Sequence, residues 1–299
     1  MCAKLFQRPF TFVSAIAALT IIRGDADAQF VPRPAAPPAA AAPLKVPRQV
    51  EPFVLDQVEL TEGPFLHAQE LDVRYLLSLE PDRLLAWFRK EAALAPKAEV
   101  YGGWESDTLA GHSLGHYLTA CSMAFLSTGN EEFRRRVDYI VAELAEVQAA
   151  NGNGYVGAIP GGKKLWDEVK AGQINEAANF SLNGLWSPWY TMHKLFAGLI
   201  DAHQLCGSQI AKAVLVKLSD WAYDTTAHLD EATIQKMLAC EFGGMNEAMA
   251  DVYQLTGDKR YLDLAERVFY HRAVFDPLAA GEDQLAGLHS NTQVPKVIG

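Results

Sequence analysis

Phe125-Leu126-Ser127-Thr128-Gly129-Asn130-Glu131-Glu132-Phe133 is the stretch that decides the fold. An apolar run ends at a glycine, a short polar side chain follows, and a new amphipathic run begins at once. Glycine closes a helix in the left-handed conformation at no steric cost. Asparagine then offers a side-chain oxygen to the free N–H groups of the next helix. The pattern returns in Gln254-Leu255-Thr256-Gly257-Asp258-Lys259-Arg260-Tyr261, and in degenerate form in Gln204-Leu205-Cys206-Gly207-Ser208-Gln209. After the first copy, Phe133, Val137, Ile140, Val141, Leu144 and Val147 recur at steps of three and four, the helical period. Residues 192–205, 211–223, 245–255 and 261–269 repeat that signal. The copies are irregularly spaced, which excludes a short-repeat solenoid. The chain reads as all-α, built of helical hairpins, with long Gly- and aromatic-rich loops gathered at one end. Those features fit an α/α toroid whose inner helices line a cleft.

Toward the N-terminus the pattern changes. Lys4 and Arg8 precede an apolar run over residues 10–22 that is too short to span a bilayer, and Ala26-Asp27-Ala28 is a small-x-small cleavage site. Residues 1–28 are therefore expected to be a signal peptide, and the mature protein to be periplasmic or secreted, with no membrane attachment after cleavage. Residues 29–50 form a Pro/Ala-rich linker, stiffened by Pro32, Pro34, Pro37, Pro38 and Pro43. A short strand is expected at 53–60, and a β piece at Tyr155-Val156 between the glycine pairs of 151–162. Pro81 and Pro188 each suit the first turn of a helix.

Composition narrows the partners. With 26 basic against 36 acidic residues, a formal charge of −10 and a pI near 5.3, the chain lacks the basic surface that nucleic acid requires. A neutral polyol makes no such demand. Cys2 leaves with the signal segment, so Cys121, Cys206 and Cys240 remain. The odd number excludes a fully paired disulfide framework, and their apolar contexts predict buried thiols. No CxxC or CxxH spacing offers a metal site, and no nucleotide-binding glycine motif or GxSxG elbow is present.

Two dense clusters carry the chemistry. His112 and His116 in Gly111-His112-Ser113-Leu114-Gly115-His116-Tyr117 share a helix face. No acid follows the first histidine as in a zincin, so hydrogen bonding to sugar hydroxyls or a place in the core are the alternatives to weigh. Gly111 and Gly115 cost helix propensity, which suggests close approach of a backbone or ligand. In the second cluster, Trp186, Trp189, Tyr190 and His193 combine aromatic faces, which stack on the C–H faces of sugar rings, with polar tips that bond hydroxyls. An aromatic core corner remains the other reading. Glu105 and Glu247 each lie beside a Gly-Gly pair, and Glu241 and His289 sit in similar polar runs. Carboxylates serve as acid, base or nucleophile in glycosidases, yet they also cap helices, and the spacing assigns no acid/base pair.

Taken in order, Tyr101 to Glu105, Gly111 to Tyr117, Trp186 to Lys194, Glu241 to Glu247 and His289 to Gly299 resemble the bacterial β-L-arabinofuranosidases of glycoside hydrolase families 127 and 146. The resemblance implies an (α/α)6 barrel, of which residues 51–299 have room for four of six hairpins. On this reading the chain is the N-terminal part of a catalytic domain and is truncated. It implies retaining hydrolysis of terminal β-L-arabinofuranosyl residues of plant-type glycans. It also implies a zinc held by cysteines and a glutamate that supports a cysteine nucleophile, with a separate glutamate as acid/base. Nothing in this chain matches that Glu-x-Cys motif, so no zinc ligand and no catalytic residue is identifiable here. The expected substrate-binding residues are His112, His116, Trp186, Trp189, Tyr190, His193, Glu247 and His289. Two rival readings stand beside this one. One is a non-catalytic carbohydrate-binding remnant; the other is a different α/α-toroid enzyme, such as a polysaccharide lyase or unsaturated-uronyl hydrolase, using Glu105 or Glu247.

Overall fold

The computed structural model describes residues 50, 52–106 and 109–299. The expected signal peptide and nearly all of the Pro/Ala-rich linker lie outside the described residues.

Helices dominate, and they come in pairs. The pairs are α1 (Pro64–Ser78) with α2 (Pro81–Glu91), and α3 (His112–Thr128) with α4 (Glu131–Asn151). After the short α5 (Gly162–Lys170) come α6 (Pro188–Gln204) with α7 (Gln209–Thr226). A short α8 (Glu231–Met237) leads to α9 (Met245–Thr256) with α10 (Lys259–Asp263), which runs on as one π-helical turn, Leu264–Val268. Helices α11 (Arg272–Ala279) and α12 (Ser290–Ile298) complete the described chain. Successive inner helices α3, α6, α9 and α12 pack on one another, and the return helices α2, α4, α7 and α10 form a second, outer row. This two-layered arc of hairpins is the expected α/α toroid architecture.

The turn chemistry read from the sequence is present at each hairpin. Gly129, Gly207 and Gly257 have φ of 66°, 68° and 72°. Asn130 Oδ1 accepts from Glu132 N–H, Ser208 Oγ from Ala211 N–H and Asp258 Oδ1 from Arg260 N–H. Each cap supplies a partner for an otherwise unbonded helix N–H. Pro81 and Pro188 occupy the first turns of α2 and α6, where a missing N–H costs nothing. The six apolar positions of α4 named above are all buried.

Helices α3 and α6 cross backbone to backbone. A methyl group on Gly115 would overlap the Lys194 carbonyl and lie 2.7 Å from Leu195 N; one on Gly198 would lie 2.6 Å from Gly115 O. The glycine that looked costly in α3 is therefore there to admit α6.

Two local expectations fail. The segment 53–60 forms a single 3-10 turn, Leu55–Gln57, with extended flanks and no strand partner. Tyr155-Val156 is not a β piece; this loop is an interior plug, with Tyr155, Val156, Ala158 and Ile159 buried. Its polar backbone is bonded by side chains, Gln148 Nε2 donating to Gly154 O and Asn151 Nδ2 to Tyr155 O. Strands appear instead in a tight antiparallel meander of β1 (Ala177–Ala178), β2 (Ser181–Leu182) and β3 (Leu185–Trp186) that leads into α6. The expected burial of Cys121, Cys206 and Cys240 holds.

Candidate functional site

The inner helices bring their N-terminal turns together at one end of the arc, and His112, His116 and His193 collect there. Helix α3 begins at His112, whose ring centroid lies 6.3 Å from that of Tyr190 on α6 and 6.2 Å from that of His116 one turn on. His193, on the second turn of α6, is buried against the start of α9. Gly243 and Gly244 lie flat on its ring, and a methyl on Gly243 would come within 2.6 Å of Nδ1. Gly243 has φ +60°, a conformation that L side chains rarely adopt. Gly244 N–H donates to His193 Nδ1 at 3.2 Å. That bond fixes the tautomer, leaving the proton on Nε2. Burial, with Lys194 and His116 nearby, pushes His193 down to about 3. It is a neutral hydrogen-bond donor at any physiological pH.

Glu105 organises the start of α3. Its Oε2 accepts from Gly111 N–H at 2.9 Å, and its Oε1 accepts from Ser113 N–H at 3.0 Å and meets His112 Nδ1 at 2.8 Å. His112 Nδ1 also faces Leu109 O at 2.6 Å. Burial alone would raise Glu105, but the bonds from His112, Gly111 and Ser113 outweigh it and hold the carboxyl below its usual range. For His112, burial opposes the charge, but Glu105 and the Leu109 carbonyl raise it overall. Glu105 is thus a helix cap with both oxygens engaged, not a free acid or base.

The signs set a pH window. The lowered Glu105 stabilises above its unfolded pKa of about 4.3 and is lost as pH falls through the folded value. The raised His112 stabilises below about 6.5 and is lost as pH rises through its folded value. Replacing Glu105→Gln is expected to remove about 1–2 kcal/mol at pH 6 and to flatten the acid limb of stability. Urea midpoints across pH 3–8 check this; superimposable curves for wild type and variant would refute the cap.

Glu241, which the sequence did not single out as a ligand, faces the same end. It is buried, Ser187 Oγ donates to its Oε2 at 3.4 Å, and its N–H donates to Asn179 O at 2.8 Å. Burial raises its pKa against the opposing effects of Ser187, His289, Thr292 and Lys296. Ser187 reaches it from a left-handed conformation, φ 42°, unusual for a non-glycine residue. Strain of this kind collects at functional sites because the surroundings must enforce it.

The remaining expected residues divide. His116 is exposed, Tyr190 and Glu247 are half-buried, and Trp186 is 38% exposed, all open to a ligand. Lys194 lays its ammonium over the Tyr190 ring, 4.7 Å from the centroid. His289 is exposed at the start of α12, bonded to Thr292 Oγ1 at 3.1 Å, with Phe180 packed edge-on 5.6 Å from its ring. Trp189 is misplaced by the sequence reading. It is 1% exposed, packs on Trp166, Trp221 and Phe269, and donates Nε1–H to Met237 Sδ. It is a core residue, one turn before His193 along the same side of α6.

The described residues do not fit a thiolate-held zinc. Among them no group of three or more His, Cys, Asp or Glu side chains is disposed to hold a metal ion. Burial pushes the thiols of Cys121 and Cys240 up to about 12 and raises Cys206 as well. A thiol held protonated is a poor ligand and a poor nucleophile.

The helical hairpins gather imidazoles, aromatic rings and carboxylates at the starts of the inner helices of an α/α toroid. The comparison with known families makes the assignment specific. The model of the GH127 β-L-arabinofuranosidase catalytic domain matches residues 57–299, and the chain belongs to that family. Among solved structures, a GH127 β-L-arabinofuranosidase from Geobacillus stearothermophilus T6 matches with 16% identity and a TM-score of 0.46, over 81% of this chain. The chain spans 36% of the length of that structure. No curated protein matches. Among the described residues no helix is long and apolar enough to cross a membrane.

Proposed function

We propose that this chain carries the sugar-binding face of an exported glycoside hydrolase acting on terminal β-L-arabinofuranosyl residues of plant-type glycans. The observation that carries the reading is His193, a neutral imidazole fixed in one tautomer by Gly244 N–H and presented among His112, His116, Tyr190 and Glu247. A neutral polyol needs donors and acceptors that keep their protonation state, and His193 does so across pH 5–8. Glu241 and Glu247 accept from hydroxyls, while the ring of Tyr190 and the half-exposed Trp186 offer apolar faces. Export rests on residues 1–28, and zinc on the family resemblance alone.

Removing His193 tests the reading. His193→Ala is expected to weaken binding of methyl β-L-arabinofuranoside at least about tenfold, the value of one well-made buried hydrogen bond. Calorimetric titration reads the affinity and circular dichroism the fold; an unchanged affinity in a folded variant sinks the assignment.

The non-catalytic binding reading is favoured by the same site. Glu105 is engaged as a cap and all three described thiols are held protonated. Hydrolysis of p-nitrophenyl β-L-arabinofuranoside, with and without added zinc, separates the two. Turnover supports the hydrolase, and binding without turnover supports the remnant.

A further inference from the structure

Lys296 of α12 is the most deeply buried cationic side chain among the described residues. Arg89, the next, is met by Glu143 at 2.7 Å and Glu146 at 3.0 Å. The ammonium of Lys296 instead meets His271 Nδ1 at 3.1 Å and the face of Phe242, 4.6 Å from the centroid. His271 engages one of its three N–H donors and brings no negative charge. A buried charge is costly unless an opposite charge lies near.

That opposite charge is Glu241. It is the carboxylate that acts on Lys296, with the Cys240 thiol beside it. Phe242, on whose ring the ammonium is seated, is the next residue in the chain. Glu241 is itself buried, and its bond from Ser187 Oγ is long, at 3.4 Å. The other groups around it are Cys240 on its own loop, Tyr190 and Lys194 on α6, and His289 and Thr292 at the start of α12. Lys194 lies over the Tyr190 ring on the half-buried side of α6. Lys296 is locked in place, since Asn246 Nδ2 on α9 donates to its backbone carbonyl at 2.7 Å.

We propose that Lys296 is a positioning residue, the fixed buried counter-charge that keeps Glu241 an ionised acceptor for a sugar hydroxyl. A hydrogen bond to an ionised carboxylate is roughly twice as strong as a neutral one, and a protonated Glu241 would carry a hydrogen where the hydroxyl has to donate. The inference rests on the sugar-binding reading of the site. Burial raises Glu241, and Lys296 is among the groups that oppose the rise. Lys296 gives up its own proton only near pH 8, so it is charged throughout the acid range in which Glu241 would protonate.

Two variants remove the charge. Lys296→Met keeps the apolar stem, and Lys296→Gln keeps a donor for His271. Carbon-13 carboxyl NMR follows Glu241, its signal identified by its loss in Glu241→Gln. The midpoint is expected to rise by about one pH unit or more in both variants, the usual effect of losing one nearby opposite charge. Calorimetric titration with methyl β-L-arabinofuranoside from pH 8 to pH 4.5 reads the consequence. Both variants should bind within about twofold of wild type at pH 8, and their acid limb should begin about one pH unit higher. In a Glu241→Gln background, Lys296→Met should change affinity by less than about twofold at any pH. The other groups around the site are common to all these proteins and cancel in the comparison. An unmoved Glu241 midpoint, or affinity lost equally at pH 8 and pH 5, overturns the role of Lys296 while leaving the sugar site intact. Absence of sugar binding in wild type overturns the sugar-binding reading and this role with it.

Discussion

Gly115→Ala should lower stability by about 3 kcal/mol, the upper end of the usual penalty for overpacking, and the thermal midpoint by roughly 6–12 °C. The added methyl would meet backbone atoms of Lys194 and Leu195, not the end of a flexible side chain. Neither helix can rotate aside, since α3 is tied at its start by Glu105 and α6 is packed on α7 and α9. Gly102→Ala is the matched control. It has nothing within 4 Å and an ordinary φ of −80°, and should change stability by less than about 0.5 kcal/mol. Similar midpoints for the two variants would rule out the tight crossing.

Lys296→Met should act in the other direction. Lys296 is 1% exposed, and its ammonium has Phe242 beneath it at 4.6 Å and His271 Nδ1 at 3.1 Å. Burial lowers it to about 8, against the opposing pull of Glu241 and Cys240. Burial, with Lys296 beside it, lowers His271 to about 4, so its Nδ1 is a neutral acceptor. Relative to an ordinary lysine near 10.4, a depression of about two units corresponds to ~3 kcal/mol against folding while the group is charged in both states. The bond to His271 and the ring contact are lost in the variant, so about 2 kcal/mol of net stabilisation is expected at pH 7.

The sign fixes the pH signature. Between pH 8 and about 10.4 the unfolded lysine still holds a proton that the folded one has released, so wild-type stability rises with pH there. The methionine variant lacks this rise, and its advantage should vanish by about pH 10.5. Urea midpoints at pH 7 and pH 10 decide it; a variant less stable than wild type at pH 7 would contradict the account. A lysine kept beside Glu241 against this penalty fits a side chain retained for the site rather than for the fold.

Much of the fold was legible because its signals are local. A glycine at 129 and an asparagine at 130 dictate a chain reversal whatever surrounds them, and the stripe from Phe133 to Val147 dictates which face of α4 turns inward. The misreadings arise where distant chain decides. Helix α6 is apolar almost all round, so periodicity does not say that Trp189 is sealed in the core while Tyr190 meets His112 and His193 meets Gly244. The alternation at 53–60 found no strand to pair with, and a strand without a partner is not stable. Tyr155-Val156 was expected as a β piece because the side chains that satisfy the buried loop backbone instead, Gln148 and Asn151, sit on another element. Glu105 was visible as an acid beside a Gly-Gly pair and Glu241 as one in a polar run, but only the packing separates a cap from a buried carboxylate. Gly115 carried the clearest hint, a glycine where a helix did not want one.

Because α3 and α6 meet through main-chain atoms, the spacing of the first two cleft helices does not depend on the side chains they show to a ligand. His116, Tyr190 and Lys194 are a replaceable lining on a fixed mount. Randomising those three positions and screening on a glycan array would vary recognition while the mount at Gly115 and Gly198 keeps the fold, which makes this end of the arc a cassette for altered specificity.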